Sequence, residues 1–427
     1  MTSIAGALLF LLTLPLLLMG ATRLAFVPFV LTFELRDRRH QRDQAGAGPV
    51  FAEAPFVSVV VPAFQEAKVI DNCVRSVLRS EYPRLEVVCV DDGSADDTYQ
   101  RMRDLAAAHP QVRAVRQDNA GKGAALNTGI AQARGDVLVL VDADGVFRSD
   151  TVTRLLAGFR TPRVGAVCGN DRPVNLDHVQ TRLLALISHL GTGLMRRALD
   201  VLGCLPVVSG NIGAFRREVL DRTGPLRTDT LGEDLELTWR VHLAGYQVAF
   251  APDALVYAES PSTLSGLWRQ RVRWARGLLQ ATALHWGAVG RPRYGTFGLY
   301  LLFNTASQVV APFIQLAAIL SLAGLVVTQG STALPGTLMG WILLLGLPLS
   351  LGLLLFANWL DGSLRDLRYL WTVVLWPFYS TLMTLVMLEA VRLELANAEN
   401  RWNKLERTGT VSVRGLLDED DRGSSSS

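Results

Sequence analysis

The sequence predicts an α/β domain of doubly wound, Rossmann-like architecture, held in the cytoplasm and joined to α-helical transmembrane segments. Three observations predict it. Short apolar runs alternate with helix-like runs from Val57 to Val141, the pattern of parallel βαβ units. The run VLVLVDADG, Val137 to Gly145, passes from five apolar residues straight into two carboxylates, as a buried parallel strand does where it ends at a ligand crevice. Long apolar stretches lie at Ile4–Leu35, Phe297–Val327, Gly336–Leu360 and Tyr369–Leu388, each near the length that crosses roughly 30 Å of hydrocarbon.

The chain has 427 residues, 49% of them hydrophobic, with room for two or three domains. A net charge of +3 is too small to point to nucleic acid, which is excluded as a partner. Ile4 to Met19 has the apolarity of a signal peptide, with Met19-Gly20-Ala21 a weak cleavage site. No basic residue precedes it and apolarity resumes from Leu24 to Phe33, so residues 1–35 are expected to be an uncleaved anchor. The arginines between Arg36 and Arg42 place that side in the cytoplasm. Residues 36–55, rich in Ala, Gly and Gln after Gln41, read as a linker.

Strands are expected at Val57–Val61, Glu86–Val90, Val112–Arg116 and Val137–Val141, and helices at Lys68–Ser80, Ala95–Ala108 and Gly123–Ala133. Each strand end carries residues suited to a nucleotide. Glu66 follows a sharp turn at Pro62; Asp91 and Asp92 can accept from a base N–H or a ribose hydroxyl; Lys122 offers a cation in a glycine-rich loop before a helix. Asp142 and Asp144 suit a hard divalent cation that also takes phosphate oxygens. Taken singly, these residues read equally well as a helix cap, an Asx turn, an ordinary loop and a polar strand end. Cys73, Cys89, Cys168 and Cys204 have no metal-ligand spacing and are expected to be small buried residues, and the six histidines suggest neither zinc nor a catalytic triad.

Further along, Ser209-Gly210-Asn211 supplies small residues that let a sugar approach the backbone. Glu233 and Asp234 open a helix; Asp234 is either a first-turn acid favoured by the helix dipole or a base for an attacking hydroxyl. From Leu267 to Gly277, four arginines interleave with Trp268 and Trp274, as on an amphipathic helix at an anionic membrane surface. Gln270, Arg273 and Trp274 fall on adjacent faces of it, so an amide and a guanidinium can hold a diphosphate while an indole stacks on a sugar.

In this order, VPAFQE, DDGS, NAGKGAALN and DADG resemble the nucleotide-binding half of the inverting family 2 glycosyltransferases with the α/β GT-A fold. Q-x-x-R-W, here Gln270, Arg273 and Trp274, is similar to the membrane-bound synthases of β-linked polysaccharides. GEDLELTWRVHLAGY followed by STLSGLWRQRVRWARG most resembles the bacterial poly-β-1,6-N-acetylglucosamine synthases. The likeness runs from about Pro55 to Gln280, with two departures: Gly232 stands where the family usually has Thr, and Ser209-Gly210-Asn211 is not the Cys-Gly-Ser of cellulose synthases.

The resemblance implies an inverting glycosyltransferase that moves N-acetylglucosamine or glucose from a UDP-sugar to a growing β-linked polysaccharide. Asp91 and Asp92, with Glu66 in the same crevice, would meet the uridine, and Lys122 the nucleotide. Asp142 would serve the diphosphate and Asp144 its Mg²⁺ or Mn²⁺ ion; Asp234, with Glu233 beside it, would be the base; Gln270, Arg273 and Trp274 would close over donor and acceptor. The alternatives are single sugar transfer to a lipid acceptor and a catalytically silent membrane subunit. Membrane lipid is an expected partner, with room for an accessory export subunit.

The expected domains are the anchor at 1–35, the linker at 36–55, the transferase domain at 56–260, interface helices at 261–296, transmembrane helices at 297–391 and a tail at 392–427. The whole is placed in the cell's inner membrane as a multi-pass protein. Asn304, Ser307, Gln308 and Pro312 are polar for lipid and should face protein or a water-lined passage. One anchor plus three later spans put the C-terminus outside, whereas Arg392, Arg401, Lys404 and Arg407 argue for inside, so one segment is expected to be interfacial or re-entrant. Asp418–Ser427 reads as disordered, its serines as added sequence.

Overall fold

The computed structural model of the chain describes residues 21–44, 51, 53–329 and 347–400. The first 20 residues of the expected anchor, part of the linker, the first half of the span Gly336–Leu360, and the tail from 401 with its basic residues lie outside the described residues.

A helix, α1 (Val27–Gln44), leads into a regular alternation. This runs β1 (Val57–Ala63), α2 (Ile70–Leu78), β2 (Leu85–Asp92), α3 (Thr98–Ala108), β3 (Val112–Gln117), α4 (Lys122–Gln132) and β4 (Val137–Leu140). Every residue of β1, β2 and β4 is buried, because helices cover both faces of the sheet. Successive side chains divide between those faces: Val57, Val59 and Val61 pack with Ile70, Val74 and Met102, while Val60 packs with Leu126 and Leu138. These four strands are parallel, as expected from sequence, in the order β3-β2-β1-β4.

Beyond β4 the sheet departs from a purely parallel one. It continues through β5 (Val146–Phe147), α5 (Thr151–Ala157), β6 (Val164–Pro173), α6 (Val179–His189), α7 (Arg197–Val201), β7 (Gly213–Arg216), α8 (Arg217–Thr223), α9 (Glu233–Leu243) and β8 (Gln247–Ala258). The full order is β3-β2-β1-β4-β7-β6-β8-β5, with β7 antiparallel to both β4 and β6 and β5 antiparallel to β8. The register pairs Leu140 with Gly213, so the segment entering β7 passes beside the end of β4 and carries Ser209 and Gly210 to Asp142.

The remaining helices are α10 (Leu264–Leu284), α11 (Gly295–Asn304), α12 (Ala311–Gln329), α13 (Leu347–Leu360) and α14 (Trp376–Leu395). Thr263 caps α10 by accepting from Gly266 N–H at 3.1 Å. The apolar stripe of α10, Val272 and Ala275, packs on Val386, Met387 and Ala390 of α14.

The membrane reading is met in part and differs in two details. Among the described residues two helical runs are long and apolar enough to cross a bilayer, Pro292–Ser321 with 30 residues and Leu364–Leu395 with 32, and the described part of the third expected span, Pro348–Leu360, is shorter. The segment 27–44 is one continuous helix, so the arginines after Arg36 lie on α1 and not in a loop; Val30 and Phe33 of the expected anchor are buried against protein. The expected Tyr369–Leu388 span begins earlier, with Leu364–Leu375 wound as a 3₁₀ helix before α14.

Several polar groups on the apolar helices are bonded within the protein. Gln315 of α12 donates to Ser380 of α14 at 2.9 Å, and α11 passes into α12 through a π-helical turn, Thr305–Val310. A buried ion cluster fixes the other helices to the domain. Arg197 meets Asp361 at 2.7 Å and Glu34 at 2.8 Å, while His189 sits between Asp361 and Asp366 at 2.9 and 3.0 Å.

Candidate active site

The site begins where β1 and β2 end. Gln65 adopts a left-handed φ of 55°, which a non-glycine residue holds only when its surroundings fix it, and its N–H donates to Ser94 Oγ at 2.8 Å. Asp91 is fully buried. Its Oδ2 pairs with Arg116 Nε at 3.3 Å and accepts from Ser94 N–H, while its Oδ1 has no hydrogen-bond partner. A buried carboxylate oxygen left open is costly and suits an incoming N–H or hydroxyl.

Asp92 has a different task. Its Oδ1 accepts from Gln117 at 2.7 Å and from Ala120 N–H at 2.9 Å, and its Oδ2 accepts from Gly121 N–H at 2.9 Å. The carboxylate therefore shapes the glycine-rich loop. Gly93, at φ +75°, allows the close approach, since a Cβ there would lie 2.8 Å from Asn119 N.

That loop delivers Lys122 to the first turn of α4. Its Nζ lies 2.6 Å from Asp142 Oδ1 and 3.5 Å from Glu233 Oε1. Burial alone would depress the lysine pKa; Asp142, Glu233 and Asp234 outweigh burial and hold the ammonium well above its ordinary value. Burial also raises the Glu233 carboxyl, aided by Asp234 and opposed by Lys122 and Arg273. Asp234 accepts from Gly210 N–H at 3.1 Å and from Leu235 N–H at 2.8 Å. A Cβ on Gly210 would lie 2.8 Å from Lys122 Nζ and 3.2 Å from Asp234 Oδ2. Ser209, Gly210 and Asn211 line the second of the cavities described below, with Gly210 packed close against this ion cluster. Asp142 and Glu233, 91 positions apart, are thereby joined through one ammonium, with the Asp234 charge acting on it from beside Glu233.

Asp144 is buried two residues past Asp142; burial first, then Cys89, Asp144, Asp142 and Glu66, push the Cys73 thiol well above its usual range. No group of three or more His, Cys, Asp or Glu side chains that could hold a metal occurs among the described residues. Two adjacent carboxylates, one already paired with Lys122, are a donor set that fits Mg²⁺ or Mn²⁺ when substrate phosphates supply further oxygens. All four cysteines are buried and unbridged, as expected.

Two cavities meet at this cluster. The first, of ≈770 Å³, is lined by Gly93, Asn119, Gly121, Thr228, Leu231 and, at its end, Asn400. The second, of ≈790 Å³, is lined by Asp142, Gly210, Asp234, Gln270 and Trp274, and extends to Tyr300, Asn304, Gln308, Trp376 and Tyr379 of the apolar helices. Lys122, Glu233 and Arg273 line both. All three residues of the Q-x-x-R-W motif thus face the second cavity, and Asn304 and Gln308 line it, as expected of polar groups in an apolar helix.

Four contributors escaped the sequence reading. Arg116 and Gln117 sit opposite Asp91 and Asp92 in the β2–β3 register, so strand pairing carried their signal. Arg271 stacks on Trp274 at 4.3 Å inside the second cavity and makes no hydrogen bond or ion pair among the described residues; burial pushes its guanidinium below its ordinary value. Asn400 arrives from the far end of α14, and no local pattern marks it. Gly232 explains one departure: a Cβ there would lie 3.1 Å from Gly277 Cα, so α10 touches the start of α9 backbone to backbone.

Residues 54–277 match the model of the family described as Glycosyltransferase like family 2. The poly-beta-1,6-N-acetyl-D-glucosamine synthase of Staphylococcus epidermidis (strain ATCC 35984) is 32% identical over 222 residues, 52% of this chain and 54% of that protein. The synthase of the same name from Staphylococcus aureus (strain COL) is 30% identical over 226 residues, 53% and 55% of the two chains. The chain spans about half the length of these curated relatives. Among solved structures, the mannosyltransferase PcManGT from Pyrobaculum calidifontis, in complex with GDP-Man and Mn²⁺, superposes with a TM-score of 0.64 at 24% identity, covering 93% of this chain and 100% of that one. The family match spans the sheet, both acidic boxes and the Q-x-x-R-W helix, and the chain belongs to glycosyltransferase family 2, an enzyme of GT-A-like α/β fold.

Proposed function

We propose that the protein transfers N-acetylglucosamine or glucose from a UDP-sugar to the end of a growing β-linked polysaccharide at the membrane, with inversion at the anomeric carbon. The observation that carries the reading is the junction of the two cavities at Lys122, Glu233 and Arg273, with Asp234 beside it. The first cavity takes the nucleotide. The open oxygen of Asp91 accepts from the base, and Asp92 holds the loop whose amides and Lys122 face the diphosphate. Asp144, with Asp142 beside it, would hold Mg²⁺ or Mn²⁺, which supplies Lewis-acid stabilisation of the diphosphate when bound.

The second cavity takes the acceptor, stacked on Trp274 and screened from water by the helices around it. Asp234 removes the proton from the attacking hydroxyl. The oxygen forms its bond to the anomeric carbon on the face opposite the diphosphate, and the C–O bond to the diphosphate breaks with its electron pair leaving on UDP. Lys122 and Arg273 offset that charge. Names of the relatives favour N-acetylglucosamine, and the reach of the second cavity to Asn304, Gln308 and Tyr379 favours a long product over a single added sugar.

The test is incubation of the purified protein in detergent with each radiolabelled UDP-sugar and Mg²⁺ or Mn²⁺, followed by sizing of the product. High-mass labelled polymer with UDP release supports the reading. A label confined to lipid supports the single-transfer alternative, and no UDP release from any UDP-sugar overturns it.

A further inference from the structure

The loop Asp229–Gly232, which lines the first cavity and leads into Glu233 and Asp234, has no regular structure, and α9 receives no side-chain cap at Gly232. Something else fixes the start of the helix that carries the two acids. Gly232 N–H donates to Thr230 Oγ1 at 3.3 Å, and that hydroxyl donates in turn to Gln280 Oε1 at 3.1 Å. The same Gln280 oxygen accepts from Leu231 N–H at 2.8 Å. The other end of the amide, Nε2, donates to Glu394 Oε1 at 3.0 Å and to Asn400 Oδ1 at 2.9 Å.

Arg276, one turn earlier on α10 and buried, completes the arrangement. It meets Glu394 at 2.5 Å and donates to the carbonyls of Ala398 and Glu399 and to Asn400 Oδ1. Asn400 donates to the carbonyl of Asp229 at 2.8 Å and lines the first cavity. A single glutamine side chain therefore links the last turn of α14, which ends one of the two runs long enough to cross a bilayer, to the peptide that precedes the acids.

We propose that Gln280 is a positioning residue: held by Glu394, Arg276 and Asn400, it sets the Thr230–Gly232 backbone and so the placement of Glu233 and Asp234 relative to the end of α14. The proposal rests on the reading of the first cavity as the donor site. Its physical basis is that a loop without ladder hydrogen bonds takes its geometry from whatever side chains satisfy its amides. Displacement of a reacting group by about 1 Å can cost on the order of a hundredfold in rate.

The experiment compares Gln280→Leu, Glu394→Leu, the double variant and Glu394→Gln in the full chain in detergent, by UDP release from a UDP-sugar, UDP affinity and thermal melting. Gln280→Leu should lower kcat about tenfold while UDP affinity and Tm stay near wild type. Glu394→Gln, which keeps an acceptor oxygen, should restore most of the rate lost in Glu394→Leu, and the double variant should lose little more than the worse single one. Amide exchange over residues 227–237 is read in parallel and needs no turnover; Gln280→Leu should accelerate it there and not over β1 or β2. If wild type uses no UDP-sugar but the exchange change occurs, the donor reading falls and the positioning role stands. If exchange at 227–237 is unchanged, or if kcat stays within about twofold of wild type in an active enzyme, the positioning role is wrong.

Discussion

Gly210→Ala is the smallest change that tests the organisation of the site. The added methyl would lie 2.8 Å from Lys122 Nζ and 3.2 Å from Asp234 Oδ2. Ordinary non-bonded separation is about 3.5 Å, so the ammonium must retreat by roughly 0.7 Å and the carboxylate by about half of that. Lys122 cannot do so and keep its 2.6 Å contact with Asp142 and its reach to Glu233. Both displaced atoms are tips of side chains, and Gly210 does not hold a left-handed φ, so the backbone accepts alanine with little strain. The expected result is a fall in kcat of about ten- to a hundredfold with Tm shifted by no more than about 3 °C. Initial rates of UDP release from UDP-N-acetylglucosamine, with melting curves on the same samples, make the measurement. A variant that melts like wild type and keeps more than half its kcat would refute the claim that the Lys122 cluster is the reacting centre.

Asp234→Asn should reduce kcat by at least about a hundredfold while leaving UDP affinity in place, because the amide cannot take a proton; isothermal titration beside turnover separates the two. Asp92→Asn replaces one acceptor oxygen by a donor and deprives one of the amides of Ala120 and Gly121 of its partner, so donor KM should rise about tenfold, the worth of one charge-assisted hydrogen bond. Gly277→Ala would set a methyl 2.8 Å from Gly232 N, a backbone atom, and is expected to lower stability by about 1–3 kcal/mol, read as a fall in Tm. His242 is buried, donates from Nε2 to Leu205 O at 2.8 Å and stacks on Phe297; burial lowers its pKa to about 4. Its stabilising effect is complete above the unfolded value and is lost as pH falls from about 6.5 towards 4, on the order of 3 kcal/mol at most. Replacing His242 by Gln should flatten the dependence of Tm on pH in that window and leave it unchanged above about pH 7.

The first four strands were legible because parallel strands buried on both faces leave unbroken apolar runs, and the ends of β1, β2 and β4 could be placed to within about two residues. The second half was not, since β7 has four residues and β5 two, too short to register as a period, and their antiparallel direction follows from pairing and not from local composition. The acids of the site were visible one by one. Their convergence was expected from the resemblance and not from any local pattern, because the link is the Lys122 ammonium, 20 positions before Asp142 and 111 before Glu233. Asp91 and Asp92 looked alike in sequence, and only the partners across β2 and β3 and in the following loop separate an open acceptor from a structural brace. The apolar segments were found by length, yet whether an apolar helix covers protein or lipid depends on what packs against it, as Val30 and Phe33 illustrate.

Lys122, Leu231, Glu233 and Arg273 line both cavities, and three of the four carry charged side chains. Rotamer changes at such side chains can alter the passage between the cavities with the eight-stranded sheet left untouched. On the proposed function, departure of a nucleotide from the first cavity would remove the anion that Lys122 and Arg273 face and free both to readjust against what occupies the second. Coupling of the two cavities by this route would need no domain movement.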